Sequence, residues 1–162
     1  MEITNQELLQ ISLKIERDGK RFYSGLAKTV TDPKVKDFFR LMANEEALHE
    51  NQFKRLINLK GNKSYGWEND SILRKYIDKE FQTDIFSPPQ EFIDQLSKTG
   101  GIQKALDFAM DAEQVVGEFF RILHDSCDDI EIKTLLTILE KSECEHLERI
   151  KAFKTRFLRG FT

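Results

Sequence analysis

Two short motifs, Glu46-Ala47-Leu48-His49 and Glu143-Cys144-Glu145-His146, share one spacing of chemically capable residues. Side chains three apart on a helix lie about one turn apart on the same face. Each Glu-x-x-His therefore presents a carboxylate and an imidazole to one point. Two more glutamates are in register with them. Glu16 precedes Glu46 by 30 residues and His49 by 33; Glu113 precedes Glu143 by 30 and His146 by 33. The whole arrangement repeats at an offset of 97, as do Phe22 with Phe119 and Tyr23 with Phe120. This is the pattern of a duplicated helical hairpin. Oxygen and imidazole donors of this kind suit iron, manganese or zinc.

A single Glu-x-x-His is weak, because surface helices contain it by chance. The residues around these two make them stronger. Seams at alternating three- and four-residue steps, the spacing that faces a bundle core, run through four segments. They read Leu9, Ser12, Glu16, Gly19, Tyr23, Leu26, Val30; then Val35, Phe39, Met42, Glu46, His49, Phe53, Leu56. The second half gives Ile102, Leu106, Ala109, Glu113, Val116, Phe120, Leu123; then Ile132, Leu136, Leu139, Glu143, His146, Ile150, Phe153, Phe157. Each seam is broken near its middle by a carboxylate, and no Lys or Arg stands on a seam to pair with it. Four buried, unpaired carboxylates are untenable, since isolated charges in an apolar interior cost many kcal/mol or neutralise. Two divalent cations balance four carboxylates. Two of the three histidines fall in the motifs, and His124 lies off the seam as a surface residue.

The expected architecture is all-α, four long helices in two antiparallel pairs. The first opens at a Thr4-Asn5-Gln6-Glu7 capping box and runs to about Val30. The second starts at Asp32-Pro33, an N-cap followed by proline at the first helical position, and runs 28 residues to Lys60 with Gly61 closing it. That length is about 42 Å. The third begins after Gly100-Gly101 and reaches Asp125; the fourth follows Asp128-Asp129 and ends at Gly160. Residues 61–101 form a long crossover within a single domain spanning 1–162. It carries Tyr65, Trp67, a short helix near Ser71 to Phe81, and Ser87-Pro88-Pro89 as the cap of another. Such a connector lets the two pairs join as in ferritin-like folds.

Composition excludes several classes. With 33% charged and 40% hydrophobic residues, three prolines and thirteen phenylalanines, the chain is neither low-complexity nor disordered. A net charge of −3 gives no basic footprint for nucleic acid. No apolar run approaches the roughly 20 residues of a membrane span. Met1 to Gln10 lacks the features of an export signal, so a cytoplasmic location is expected. Cys127 and Cys144 are expected to be reduced, with Cys144 off the seam. Glu45, Glu50, Glu145 and Glu148 are assigned to solvated faces, and Glu140 to an outer role near the seam carboxylates. Tyr23, one heptad after Glu16, is placed either as a core tyrosine or as a hydrogen-bond donor near the metals. Phe119 and Phe157 are assigned either to a partner surface or to packing against the crossover.

The runs Glu16-Arg17-Asp18-Gly19-Lys20-Arg21-Phe22-Tyr23 and Phe39-Arg40-Leu41-Met42-Ala43-Asn44-Glu45-Glu46-Ala47-Leu48-His49 resemble rubrerythrin-like members of the ferritin-like superfamily. Glu113 and Glu143-Cys144-Glu145-His146 fit the same pattern. The resemblance implies two iron ions, with Glu16 and Glu113 as terminal ligands, Glu46 and Glu143 as bridges, and His49 and His146 each on one metal. It further implies reduction of hydrogen peroxide and re-reduction by a donor; the other readings of the six-residue site are oxidation of ferrous iron, with dioxygen as oxidant, iron storage of ferritin type, and a structural or regulatory bundle whose metal only supports folding. A homodimer is a plausible assembly. Two departures stand out. Val116 occupies the position of an extra glutamate one turn after the third-helix ligand. There are no paired C-x-x-C motifs of a rubredoxin domain, which implies an external electron-donor protein. Bacterioferritins share the six-residue set, but a fourth helix expected to run almost to Thr162 leaves no room for the short fifth helix common in cage-forming ferritins, which lowers the storage reading without excluding it.

Overall fold

The computed structural model describes residues 2–60, 63–81, 84–88, 94–96, 98 and 100–160, with the side chains of 56–60 excluded. Four long helices dominate: α1 (Asn5–Thr29), α2 (Pro33–Lys60), α4 (Gly101–Asp125) and α5 (Ile130–Leu158). The short α3 (Ser71–Lys75) continues into a π-helical turn over Tyr76–Glu80. The expected stop at Gly61, the Leu56 side chain and the cap at Pro89 lie outside the described residues.

Local chemistry explains the boundaries. The Thr4 hydroxyl accepts from the Glu7 N–H, but the box is half-made, because the Glu7 carboxylate turns to Arg74 at 2.9 Å. Asp32 accepts from the N–H groups of Lys34 and Val35, and Asp129 from those of Glu131 and Ile132. These side chains satisfy backbone donors that the first helical turn leaves free. Helix α1 stops one residue before the expected Val30, and α5 ends at Leu158, with Gly160 at φ 74° in the turn beyond.

Helices α1 and α2 pair antiparallel, as do α4 and α5, and the two hairpins face each other across one core. The seams hold with small shifts. Leu8 rather than Leu9 is buried on α1, while Ile102 and Phe157 sit half-buried at the rim. Phe39, Met42, Leu106, Leu136 and Leu139 are fully enclosed. Each such side chain contributes roughly 1.5–3 kcal/mol by leaving water.

The crossover travels the bundle's length. At one end the Ile3 N–H donates to Glu68 O, the Asp128 N–H donates to Tyr65 O, and Trp67 Nε1 donates to Asn5 Oδ1. At the other end Gly100 (φ 80°) turns the chain into α4. In between, Phe81 stacks on Phe119 at 4.5 Å, and Phe86 meets Phe22 and Tyr23. Phe119 thus packs against the crossover. Among the described residues no helix is long and apolar enough to cross a membrane.

Candidate metal centre

The seam interruptions meet in the middle of the core. Glu16, Glu46, Glu113, Glu143, His49 and His146 are all buried, none more than 6% exposed. His49 Nδ1 lies 3.0 Å from Glu143 Oε1, 3.3 Å from Glu16 Oε2 and 3.7 Å from Glu46 Oε2. His146 Nδ1 lies 3.1 Å from Glu143 Oε2, 3.3 Å from Glu113 Oε2 and 3.5 Å from Glu46 Oε1. Glu46 and Glu143 therefore each turn one oxygen to either histidine. The result is two four-residue clusters sharing these two glutamates, Glu16–Glu46–His49–Glu143 and Glu46–Glu113–Glu143–His146, each able to offer its atoms to one cation.

The donor set fits metal ions on its own evidence. Both Glu16 oxygens, both Glu143 oxygens, Glu46 Oε1 and His49 Nδ1 are buried without a hydrogen-bond partner. Unsatisfied polar groups at this density are costly in a folded core. Each imidazole also turns its Nδ1 toward the carboxylates and its Nε2 outward, so Nδ1, once its proton is lost, is the nitrogen that a metal would take. His49 Nε2 meets Ser142 Oγ at 2.8 Å. His146 Nε2 faces Glu45 Oε2 at 2.7 Å, a charge contact rather than an aligned hydrogen bond.

Electrostatics report the same strain. Burial drives the Glu16 and Glu113 carboxyls well above their ordinary range. Burial also pushes Glu143 up, but the imidazoles of His146 and His49 overcome it and hold that carboxyl below its usual range. Contact with His146, reinforced by Arg149, lowers Glu45 to about 2.

Tyr23 is enclosed, and its O–H donates to Glu113 Oε1. Burial and the nearby Glu113 and Glu46 charges raise its pKa, so the phenol keeps its proton. Its counterpart Phe120 has no such handle. Val116, one turn beyond Glu113, is buried and apolar.

Several sequence expectations need correction. Glu45 is not on a solvated face, because it reaches His146 and Arg149. Glu50 is also buried, held at 2.7 Å by Arg17 and 2.6 Å by Lys54. Both precede or follow a seam residue by one position, close enough to fold back over it. Glu145 and Glu148 are exposed as expected. Glu140 is half-buried and makes none of the contacts around the six; Ser142 and Glu45 back the histidines instead. The missed signal was the offset of 97, which relates Glu45 to Ser142. His124 pairs with neighbouring Asp125, away from the centre. Cys127 is buried, Cys144 is exposed, and both thiols are free.

Gly19 gives Glu46 its room. A Cβ there would lie 3.2 Å from Glu46 Cδ and 3.2 Å from Phe86 Cε2. Gly19→Ala removes the cost of a mid-helix glycine, about 0.5–1 kcal/mol, yet displaces a carboxylate shared by both clusters. The expected outcome is unchanged or higher metal-free stability with weaker metal binding, read by thermal unfolding and metal titration of the same preparation. Equal metal affinity in the variant would show that the contact does not set the Glu46 position.

Comparison with known proteins bears on the family and the fold. The rubrerythrin family model matches residues 7–154. No curated protein matches the chain. Among solved structures, a hypothetical protein from Pyrococcus furiosus is 22% identical, with a TM-score of 0.68 over 94% of this chain and 89% of that one. A candidate ferritin-like diiron-carboxylate protein from Thermotoga maritima is 17% identical, with a TM-score of 0.72 over 95% and 96% of the two chains. At such identities the structural likeness speaks for the fold, a ferritin-like four-helix bundle. With the family match over residues 7–154, which reaches into all four long helices, the chain belongs to the rubrerythrin family.

Proposed function

We propose that the six side chains hold two iron ions, and that the protein is an oxidoreductase that reduces hydrogen peroxide with electrons from an external donor protein. The observation that carries this reading is the pair of shared glutamates, each with one oxygen toward either histidine. When bound, two ferrous ions supply one electron each, and with two protons these convert one peroxide molecule to two waters.

The chain's own residues supply the setting. Glu46 and Glu143, common to both clusters, would each contribute to holding both ions, while Glu16 would serve one cluster and Glu113 the other. Tyr23 holds a proton at its hydroxyl oxygen beside Glu113. Phe39, Met42, Phe86 and Phe120 keep bulk water away, which strengthens electrostatic interactions inside the site and limits side reactions.

Val116 favours a second reading. Where the family carries an additional carboxylate, this chain offers only methyl groups, so its ligand set stays fixed. That suits oxidation of ferrous iron by dioxygen. Anaerobic loading with ferrous iron, followed by rapid mixing with peroxide or dioxygen, separates the two. Reoxidation by peroxide at least tenfold faster supports the peroxidase; equal or faster reoxidation by dioxygen supports the ferroxidase. Tight zinc binding without a response to either oxidant would leave a metal-stabilised bundle.

A further inference from the structure

The two hairpins brace each other's histidines with residues at equivalent positions and of unequal chemistry. Glu45 and Ser142 each stand one residue before a shared glutamate, at the duplication offset of 97. Glu45 on α2 reaches His146 on α5, and Ser142 on α5 reaches His49 on α2. The next layer differs too. Arg149 Nη1 grips both Glu45 oxygens, at 2.5 and 2.6 Å. Its equivalent on α2 is the neutral, exposed Gln52. One histidine is therefore backed by a fixed ion pair and the other by a lone hydroxyl.

We propose that Glu45 and Ser142 are reciprocal positioning residues that make the two metal positions unequal, so that the His146–Glu113 position takes metal first and gives it up last. This rests on the reading of the cluster as a two-metal site. An ionised carboxylate only accepts, so Glu45, 2.7 Å from His146 Nε2, favours the proton there through charge contact and leaves Nδ1 as the ligand atom. It also raises the basicity of the ring. Ser142 both donates and accepts, so it selects neither tautomer of His49. Tyr23 acts in the opposite sense by drawing charge from Glu113, but a neutral hydroxyl is a weaker influence than an ionised carboxylate.

Cobalt(II) titration of the metal-free protein tests this, followed by visible absorption and by the shifted exchangeable imidazole N–H signals in proton NMR. Repulsion between two dications would make even equal positions fill in two steps, so the decisive reading is where the first cobalt sits. At one cobalt per chain, a single dominant shifted N–H signal is expected. Glu45→Gln should weaken the first step by about 10–100-fold and redistribute the first cobalt toward His49. Ser142→Ala should leave that signal in place and weaken only the second step. Arg149→Gln, which keeps the carboxylate but frees it, should fall between wild type and Glu45→Gln, and serves if the latter does not fold. Two equally populated signal sets in the wild type, or equal weakening of both steps by Glu45→Gln, would overturn the inequality while leaving the two-metal site intact. Binding of fewer than two cobalt ions per chain would instead overturn the two-metal reading itself.

Discussion

Glu143→Ala is expected to empty both metal positions, taking bound metal from near two per chain to near none after desalting. Glu16→Ala or Glu113→Ala should each remove about one. The difference follows from geometry. Glu143 Oε1 stands 3.0 Å from one inward imidazole nitrogen and Oε2 stands 3.1 Å from the other, so one truncation removes a candidate ligand from both clusters. Glu16 belongs to one four-residue cluster and Glu113 to the other. Metal analysis of the three variants beside wild type decides it. Full retention in Glu143→Ala would mean that this residue is not shared.

The same residues should separate stability from metal binding. Both oxygens of Glu16 are buried without a hydrogen bond. Burial drives this carboxyl toward its neutral form, and a buried polar group left without a hydrogen bond carries a desolvation cost of about 1–3 kcal/mol that an apolar replacement removes. Glu16→Leu is therefore expected to raise the melting temperature of the metal-free protein while halving its metal content. Glu143→Ala should lower the metal-free melting temperature, because the Nδ1 atoms of both imidazoles lose their nearest carboxylate oxygen. Opposite signs at two carboxylates of one core would be hard to obtain from packing alone.

Periodicity and spacing made the bundle and the six-residue cluster legible before any coordinates. A seam at three- and four-residue steps fixes which face is inward, and equal intervals of 30 residues set the carboxylates at one height once each hairpin closes. What lay beyond the sequence was lateral. Glu45 and Ser142 are off the seam by one position, and only the packing of α2 against α5 brings them to the histidines. Glu50 likewise reads as a surface acid until Arg17 and Lys54 close over it. Hydrophobic periodicity assigns residues to faces, whereas these three act at the edge where two helices meet. Phe86 illustrates a second limit. Its place against Gly19 and Tyr23 depends on the path of the crossover, which carries no period to read.

Metal should also invert how stability responds to pH. In the metal-free protein, burial alone would depress His49, but the carboxylates of Glu143, Glu16 and Glu46 overcome it and raise the imidazole to about 12. His146 is raised in the same way by Glu113, Glu143 and Glu45. An unfolded histidine titrates near 6.5. Above that pH the native state keeps protons that the unfolded chain has lost, so stability must fall as pH rises, by up to about 1.4 kcal/mol per pH unit for each such proton. Glu16 and Glu113, raised by burial, act in the same direction from about pH 4.5 upward. Glu45 and Glu143 are depressed, so their contribution is complete above about pH 4.5 and lost only in acid, outside this window. Bound metal demands both Nδ1 atoms free of protons, so loading releases protons and strengthens as pH rises. With each position at 100 times its dissociation constant, linkage adds about 2.7 kcal/mol per metal, or roughly 10–20 °C for both in a chain of this size. Melting curves from pH 6.5 to 9 should therefore fall without metal and stay level or rise with zinc or manganese, the gap widening at each step. A metal-free melting temperature that climbs over that range would mean the imidazoles are not held protonated by the carboxylates around them.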